Sequence, residues 1–303
     1  PIIRASQEEF SKFTQEQVDT ICEHAAMAVS KMRIPLAKMA NEETGYGIVV
    51  DKITKNQYAS EHIWNYMRDA KTCGIIEENP EAGTKRVASP KGVIAAIVPT
   101  TNPTSTTIYK ILIALKTRNS IIVSPHPNAV NCTIEAARIM RNAAIAAGLP
   151  ENVISWVSVP SLEISDVMMK KVDLIIASGG EALVLAAYSS GTRALGVGPG
   201  NCNVVIDETA DLRMAVESII HSKTFDNGMI CATEQTLIVD KTIYNEVKKE
   251  FEKRDCMFLD KKQADMIRKV MLINGALNAK IVCQRPFQIA KMAGFEIPES
   301  VKV

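Results

Sequence analysis

The chain's most unusual chemistry lies in Phe225-Asp226-Asn227-Gly228-Met229-Ile230-Cys231-Ala232. A cysteine stands just past an Asn-Gly pair, a turn signal, and just before a run that reads as a strand. A thiol on such a turn meets solvent, and nearby backbone dipoles favour the nucleophilic thiolate. Without context, a lone cysteine is more often a small buried hydrophobe. Cys22, on an apolar helix face, is read that way. Two further segments follow the strand–loop–helix grammar that receives nucleotide phosphates, because unpaired N–H groups and the helix dipole point at the ligand. They are Pro99-Thr100-Thr101-Asn102-Pro103 and Ser178-Gly179-Gly180. Neither is Gly-x-Gly-x-x-Gly. Gly196-Val197-Gly198-Pro199-Gly200 has three glycines at another spacing, so the simple dinucleotide fingerprint is absent. By themselves, these are read equally well as ordinary turn glycines.

The elements that must hold these segments fall into three stretches. Residues 1–90 read as helices: a capping box at Thr14–Gln17 opens one whose face carries Val18, Ile21, Ala25, Ala28, Val29 and Met32. A second helix runs from about Pro35 to Gly45 and a third from about Ala59 to Ala70. Pro80, Gly83 and Pro90 mark a looping connection. From Gly92 onward, short apolar runs alternate with helical spacing. Strands are predicted at 92–98, 120–124, 153–159 and 173–177, and helices at 106–117, 130–147, 162–171 and after Gly180. Four such alternations signal a doubly wound parallel α/β sheet. After Gly196 the alternation restarts, with strands at 203–207 and 235–239 and helices at 212–223 and 244–253. A last helix ends at Gly294, and Val301-Lys302-Val303 reads as the opening of another strand, so the chain is expected to be a fragment.

Composition excludes several classes of function. The 303 residues carry 35 Lys and Arg against 34 Asp and Glu, so no basic excess points to nucleic acid. The unbroken apolar run Val93–Val98 is far too short to span a membrane. Seven scattered cysteines with no Cys-x-x-Cys pair fit reduced thiols and a cytoplasmic location better than a disulfide framework. The four histidines lie far apart and form no zinc motif, so no metal is expected.

Five segments in order carry a specific likeness: Val98–Thr106, Ser124–Pro127, Ala187–Gly191, Gly196–Asn201 and Lys223–Ala232. They resemble the CoA-acylating aldehyde dehydrogenases, above all the aldehyde dehydrogenase half of the bifunctional aldehyde–alcohol dehydrogenases, from about Thr14 to the last residue. The resemblance implies an α/β, aldehyde dehydrogenase-like fold. A Rossmann-type NAD-binding domain with N-terminal helices is expected over 1–203, and an incomplete catalytic domain over 204–303. It implies that Cys231 is the nucleophile and Asn102 the oxyanion-stabilising amide, joined by the backbone N–H of Cys231. Ile97, Val98, Pro99, Thr100, Thr101, Asn102, Gly180 and Gly198 match cofactor-contacting positions. NAD is the implied cofactor and coenzyme A the co-substrate. The implied reaction is reversible oxidation of a short aldehyde, acetaldehyde first, by a homo-oligomer. Asn102 has a plainer reading as a loop cap and Gly198 as a purely conformational glycine. Hydrolytic members carry Glu-Leu-Gly-Gly where Ala194-Leu195-Gly196-Val197 is aligned here, which disfavours a hydrolytic enzyme. A catalytically silent NAD-binding or filament subunit is the other alternative.

Overall fold

The computed structural model describes residues 1–303, which form two compact units, Pro1–Pro199 and Gly200–Val303. The first opens with helices α1 (Ile2–Phe10), α2 (Gln15–Lys31), α3 (Arg33–Thr44) and α4 (Val49–Gln57). A π-helical turn, Tyr58–His62, then leads into α5 (Ile63–Met67). The Thr14–Gln17 capping box starts α2, and Gly45, at φ 70°, ends α3 in the left-handed conformation that glycine adopts freely. The third expected helix thus starts at Val49, ten residues early, because no Gly or Pro interrupts the chain there. Residues 74–88 are a second correction. The expected connection is an antiparallel hairpin, β1 (Gly74–Asn79) with β2 (Thr84–Ala88), whose side chains are mostly exposed and so lack an apolar rhythm.

The alternating part comes next: β3 (Val93–Ile97), α6 (Pro103–Lys116), β4 (Ser120–Ser124), α7 (Val130–Ala146), β5 (Ile154–Trp156), α8 (Leu162–Lys171), β6 (Leu174–Ser178), α9 (Glu181–Ser189) and β7 (Ala194–Val197). The sheet is parallel throughout, in the order β5-β4-β3-β6-β7. Every residue of β3 is buried, as a central strand covered on both faces must be. β7 is a fifth strand where the sequence suggested only a glycine turn. One face of the sheet packs Ile94, Ala96, Ile121 and Val123 against α2, α6 and α7; the other packs Val93, Ala95, Ile97 and Ile175 against Met168, Met169 and Ala187. Gly92 (φ +120°) has no room for a β-carbon beside Asp173, whose carboxylate accepts from Val93 N and Arg4 Nη1.

The second unit contains β8 (Cys202–Ile206), α10 (Leu212–Thr224), β9 (Glu234–Val239), α11 (Tyr244–Glu252) and α12 (Lys261–Met271). A short hairpin, β10 (Leu272–Ile273) with β11 (Ala276–Leu277), and α13 (Pro286–Ala293) complete it. Asp211 caps α10, and an Asp260–Gln263 capping box starts α12. β8 and β9 pair in parallel over Ile206, Val216, Ile219, Val247 and Phe251. Residues 301–303 are not a strand: Lys302 N donates to Asp255 O, and Val303 O accepts from Met257 N.

Strand β3 is followed by chain passing to β4 on one side, and β6 takes the other side, so β3 and β6 flank the topological switch point. Lys110, on α6 and 1% exposed, spans it. Its Nζ donates to Ile97 O at 2.7 Å and Ile176 O at 2.9 Å. Burial pulls its pKa from 10.5 down to about 7. The folded value lies below the unfolded one, so between these two pH values the unfolded chain binds more protons. Stability from this group therefore grows as pH rises through that window and falls as pH drops toward 7. Denaturant titrations should show wild type gaining on Lys110→Met by up to ~1.4 kcal/mol per pH unit between about pH 7 and 10. A pH-independent difference would show that Lys110 keeps one protonation state throughout.

Candidate active site

The expected cofactor positions gather on one rim. Ile97 ends β3 and opens the loop Val98–Asn102; Gly180 follows β6; Gly198 follows β7. These are neighbouring strands in register, Ile97 beside Ala177 and Ser178 beside Val197. The carboxyl edge at a switch point is where doubly wound sheets take ligands. Three details show the rim's chemistry. Gly180, at φ −68°, caps α9 and would have nothing within 4 Å of an added β-carbon. Gly198 has no left-handed φ, and its β-carbon would touch only Val184 Cγ2 at 3.7 Å, an ordinary contact. Neither conformation nor internal packing therefore demands glycine at these two places, and both leave bare backbone for a ligand. Thr100 Oγ1 is buried without a protein partner, a polar atom facing inward beside the same loop. Such a rim suits the phosphates and polar edges of a dinucleotide.

Gly196 differs from these two glycines. An added β-carbon would lie 2.6 Å from Val184 Cγ1 and 2.9 Å from the Tyr188 ring. Tyr188 Oη accepts from Gly196 N at 3.0 Å, so the Ala187–Gly191 motif supplies a clamp that fastens α9 to β7. In the Ser124–Pro127 motif, His126 Nδ1 accepts from Asn128 N and starts the short turn before α7.

Asn102 occupies the N-cap position of α6, but its side chain does not cap. Pro103 follows it and offers no N–H. The amide turns instead toward α4, where Lys55 Nζ donates to Asn102 Oδ1 at 2.6 Å. Asn102 Nδ2 donates to Thr101 Oγ1 at 3.0 Å. The loop-cap reading of this residue is thereby set aside. Lys55 was not legible in the sequence, since its partner lies 47 residues away. Lys110 left a faint trace, a charge among Ile108, Ile111, Leu112 and Leu115 on the buried face of α6.

Cys231 belongs to the second unit and is exposed, whereas Cys22, Cys132 and Cys256 are buried. Burial pushes the Cys22 thiol well above its ordinary value, and burial with the Glu43 carboxylate does the same for Cys132. Cys231 lies in a turn between the 3₁₀ segment Phe225–Gly228 and β9. Asp226 (φ 50°, ψ 38°) and Asn227 (φ 53°, ψ 42°) are both left-handed, a conformation Asp and Asn tolerate better than most residues. Asn227 Nδ2 donates to Cys283 O at 3.2 Å, Met229 N to Asp226 O, and Thr233 N to Ile230 O, fixing the turn on both sides of the cysteine. The Asn-Gly pair therefore works as a pinned bend rather than a hinge.

Ala194 needs a correction. It opens β7, pairs with Ile175 and packs against the apolar cluster of Val93, Ala95, Met168 and Met169. Three residues at ~3.3 Å each put it about 10 Å from the strand's carboxyl end. A carboxylate there would enter an apolar cluster and not the rim. The relevant fact is that the rim end of β7, Gly196-Val197-Gly198-Pro199-Gly200, holds no carboxylate.

Comparison with known proteins places these features in a family. The pattern of the aldehyde dehydrogenase family matches residues 2–257. The aldehyde-alcohol dehydrogenase of Clostridium acetobutylicum is 52% identical over 302 residues, covering 100% of this chain and 35% of its own length. The chain thus spans about a third of that relative. The crystal structure of an acetylating aldehyde dehydrogenase from Geobacillus thermoglucosidasius superposes with a TM-score of 0.94 at 47% identity, over 99% of this chain and 67% of that one. A propionaldehyde dehydrogenase of Rhodopseudomonas palustris, solved with bound propionyl-CoA, gives a TM-score of 0.83 at 29% identity, over 99% and 67%. With its parallel sheet, its open glycines at the switch-point rim and its exposed cysteine turn, the chain belongs to the aldehyde dehydrogenase family.

Proposed function

We propose that these residues carry the CoA-acylating oxidation of a short aldehyde: aldehyde + CoA + NAD⁺ give acyl-CoA + NADH + H⁺, reversibly. The observation that carries this reading is Cys231, an exposed thiol on a pinned turn within a chain of this family. Its thiolate attacks the aldehyde carbon, and the former carbonyl oxygen takes up negative charge in a thiohemiacetal. The amide of Asn102 and the backbone N–H of Cys231 donate to that oxygen; donors of this kind are worth ~10²–10³-fold each in turnover. NAD, when bound, would supply the acceptor for the hydride that leaves this carbon. Residues 97–102 with Gly180 and Gly198 would hold the dinucleotide, the open glycines admitting it close to the backbone. Cys231 is left as a thioester.

The fate of that thioester depends on the incoming nucleophile. A thiol ionises near pKa ~8.5, whereas bulk water does so near ~15.7. Water therefore needs a positioned carboxylate, worth ~10²–10⁴-fold, and the carboxyl end of β7 supplies none. CoA resolves the thioester with less help. The acetylating relative from Geobacillus and the propionyl-CoA complex of the Rhodopseudomonas enzyme support this choice of acceptor. Acetaldehyde is the proposed substrate, and a homo-oligomer the proposed working state.

Three measurements on the product of the complete open reading frame test this reading. Iodoacetamide under mild conditions should label Cys231 first, leave Cys22 and Cys132 untouched, and abolish turnover in step; full activity in Cys231→Ala would refute the nucleophile. Mixing with acetaldehyde and NAD but no CoA should release about one NADH per site and then stall. Steady production of acetate would refute the acylating assignment. Gly198→Ala should raise the NAD dissociation constant with little change in Tm, since an added β-carbon makes only an ordinary contact with the chain there.

A further inference from the structure

We infer that Lys55 is a positioning residue for the oxyanion amide: its ammonium holds Asn102 Oδ1 and so commits the amide nitrogen to the substrate oxygen. This rests on the proposed role of Asn102 as an oxyanion donor. An asparagine amide is nearly symmetric in shape, and turned by 180° it would offer an acceptor where the reaction needs a donor. An ammonium has donors only, so the end of the amide at 2.6 Å from Lys55 Nζ has to be the oxygen. The nitrogen then faces the other way. One of its two N–H groups is spent on Thr101 Oγ1, which fixes the plane of the amide, and the second remains for the substrate.

The geometry around Lys55 is built to hold this contact. Asn56, the next residue on α4, is 1% exposed and accepts from Thr104 Oγ1 at 2.7 Å, while its own Nδ2 donates to Arg33 O at 3.1 Å. Successive residues of α4 thus grip the loop on both sides of Pro103, one at Asn102 and one at Thr104. Immediately afterwards the helix widens into the π-helical turn Tyr58–His62, a distortion frequent at functional sites. Ser60 Oγ donates to Asn56 O at 2.7 Å, which occupies that carbonyl and steadies the residue beside Lys55.

The contact also has an electronic consequence. A positive charge on the amide oxygen draws electron density from the nitrogen and strengthens its N–H as a donor, as in any polarised hydrogen-bond chain. The benefit grows as the substrate oxygen becomes an anion, so it favours the transition state over the bound aldehyde.

The test compares Lys55→Met, Lys55→Arg, Asn102→Ala and the double variant Lys55→Met/Asn102→Ala, in the product of the complete open reading frame. Readouts are kcat and KM for CoA-dependent acetaldehyde oxidation, the NAD dissociation constant and Tm. Lys55→Met should lower kcat ~10–100-fold, with KM and the NAD constant within about twofold of wild type. Lys55→Arg should recover most of that loss. The double variant should be no slower than Asn102→Ala, because a residue acting through Asn102 has nothing left to act on. Should Lys55→Met fail to fold, Lys55→Gln, which keeps a neutral donor, takes its place in the same cycle. Losses that multiply in the double variant, or wild-type kcat in Lys55→Met beside a slow Asn102→Ala, would overturn the role of Lys55 alone. Wild-type kcat in Asn102→Ala would overturn the oxyanion role of Asn102 itself, and that of Lys55 with it.

Discussion

The first unit depends on one seam. Where β3 and β6 run side by side, the chain leaves their carboxyl ends in opposite directions, and the sheet opens a crevice at the point where ligands must enter. Main-chain carbonyls at such an opening lose neighbours that would otherwise donate hydrogen bonds to them, and burying them unpaired is costly. Lys110 meets this need, its Nζ donating to both Ile97 O and Ile176 O across the two strands. Straps of this kind let the rim above stay bare. Gly180 and Gly198 then have no internal packing that demands glycine.

The protein uses its polar groups differently in the two units. In the first, Asn102 gives up the helix-capping role its position offers and is held by α4 instead. In the second, the cysteine turn rests on two consecutive left-handed residues, Asp226 and Asn227, each costing on the order of 1 kcal/mol or more in backbone strain. The hydrogen bond to Cys283 O and the contact of Cys283 Sγ with Asp226 O fasten that bend from a segment more than fifty residues later. Asn102 and the turn that carries Cys231 are thus each held by distant parts of their own unit, which is how a loop acquires the precision of a helix.

Much of this was legible in the sequence because burial writes a rhythm. The fully buried β3 and the nearly buried β4 announce themselves as unbroken apolar runs, and α8 begins where Ser161 caps it, Ile164 N donating to Ser161 Oγ. The hairpin at 74–88 escaped because both its faces are wet, so nothing selects apolar residues at alternate places. β7 escaped because two of its four residues are exposed and its glycine is demanded by Tyr188 rather than by a turn. Ala194 was misplaced for the same reason: without knowing where β7 starts, neither end of it can be assigned to the rim. The motifs identified Cys231 and Asn102 as residues worth attention, while Lys55 and Lys110 act across distances that no local pattern records.

The Tyr188 clamp on Gly196 also bears on what this chain can become. Glycine there is held in place by Val184 and the tyrosine ring, and the same side chain takes the strand's own N–H. Any larger residue at 196 must first evict the aromatic ring and orphan that N–H. A carboxylate at position 196 is therefore not one codon change away: Val184 and Tyr188 must move before any side chain fits there. On the proposed reading of this site, a laboratory selection for hydrolysis should therefore place its carboxylate at the open position 198 before it changes 196.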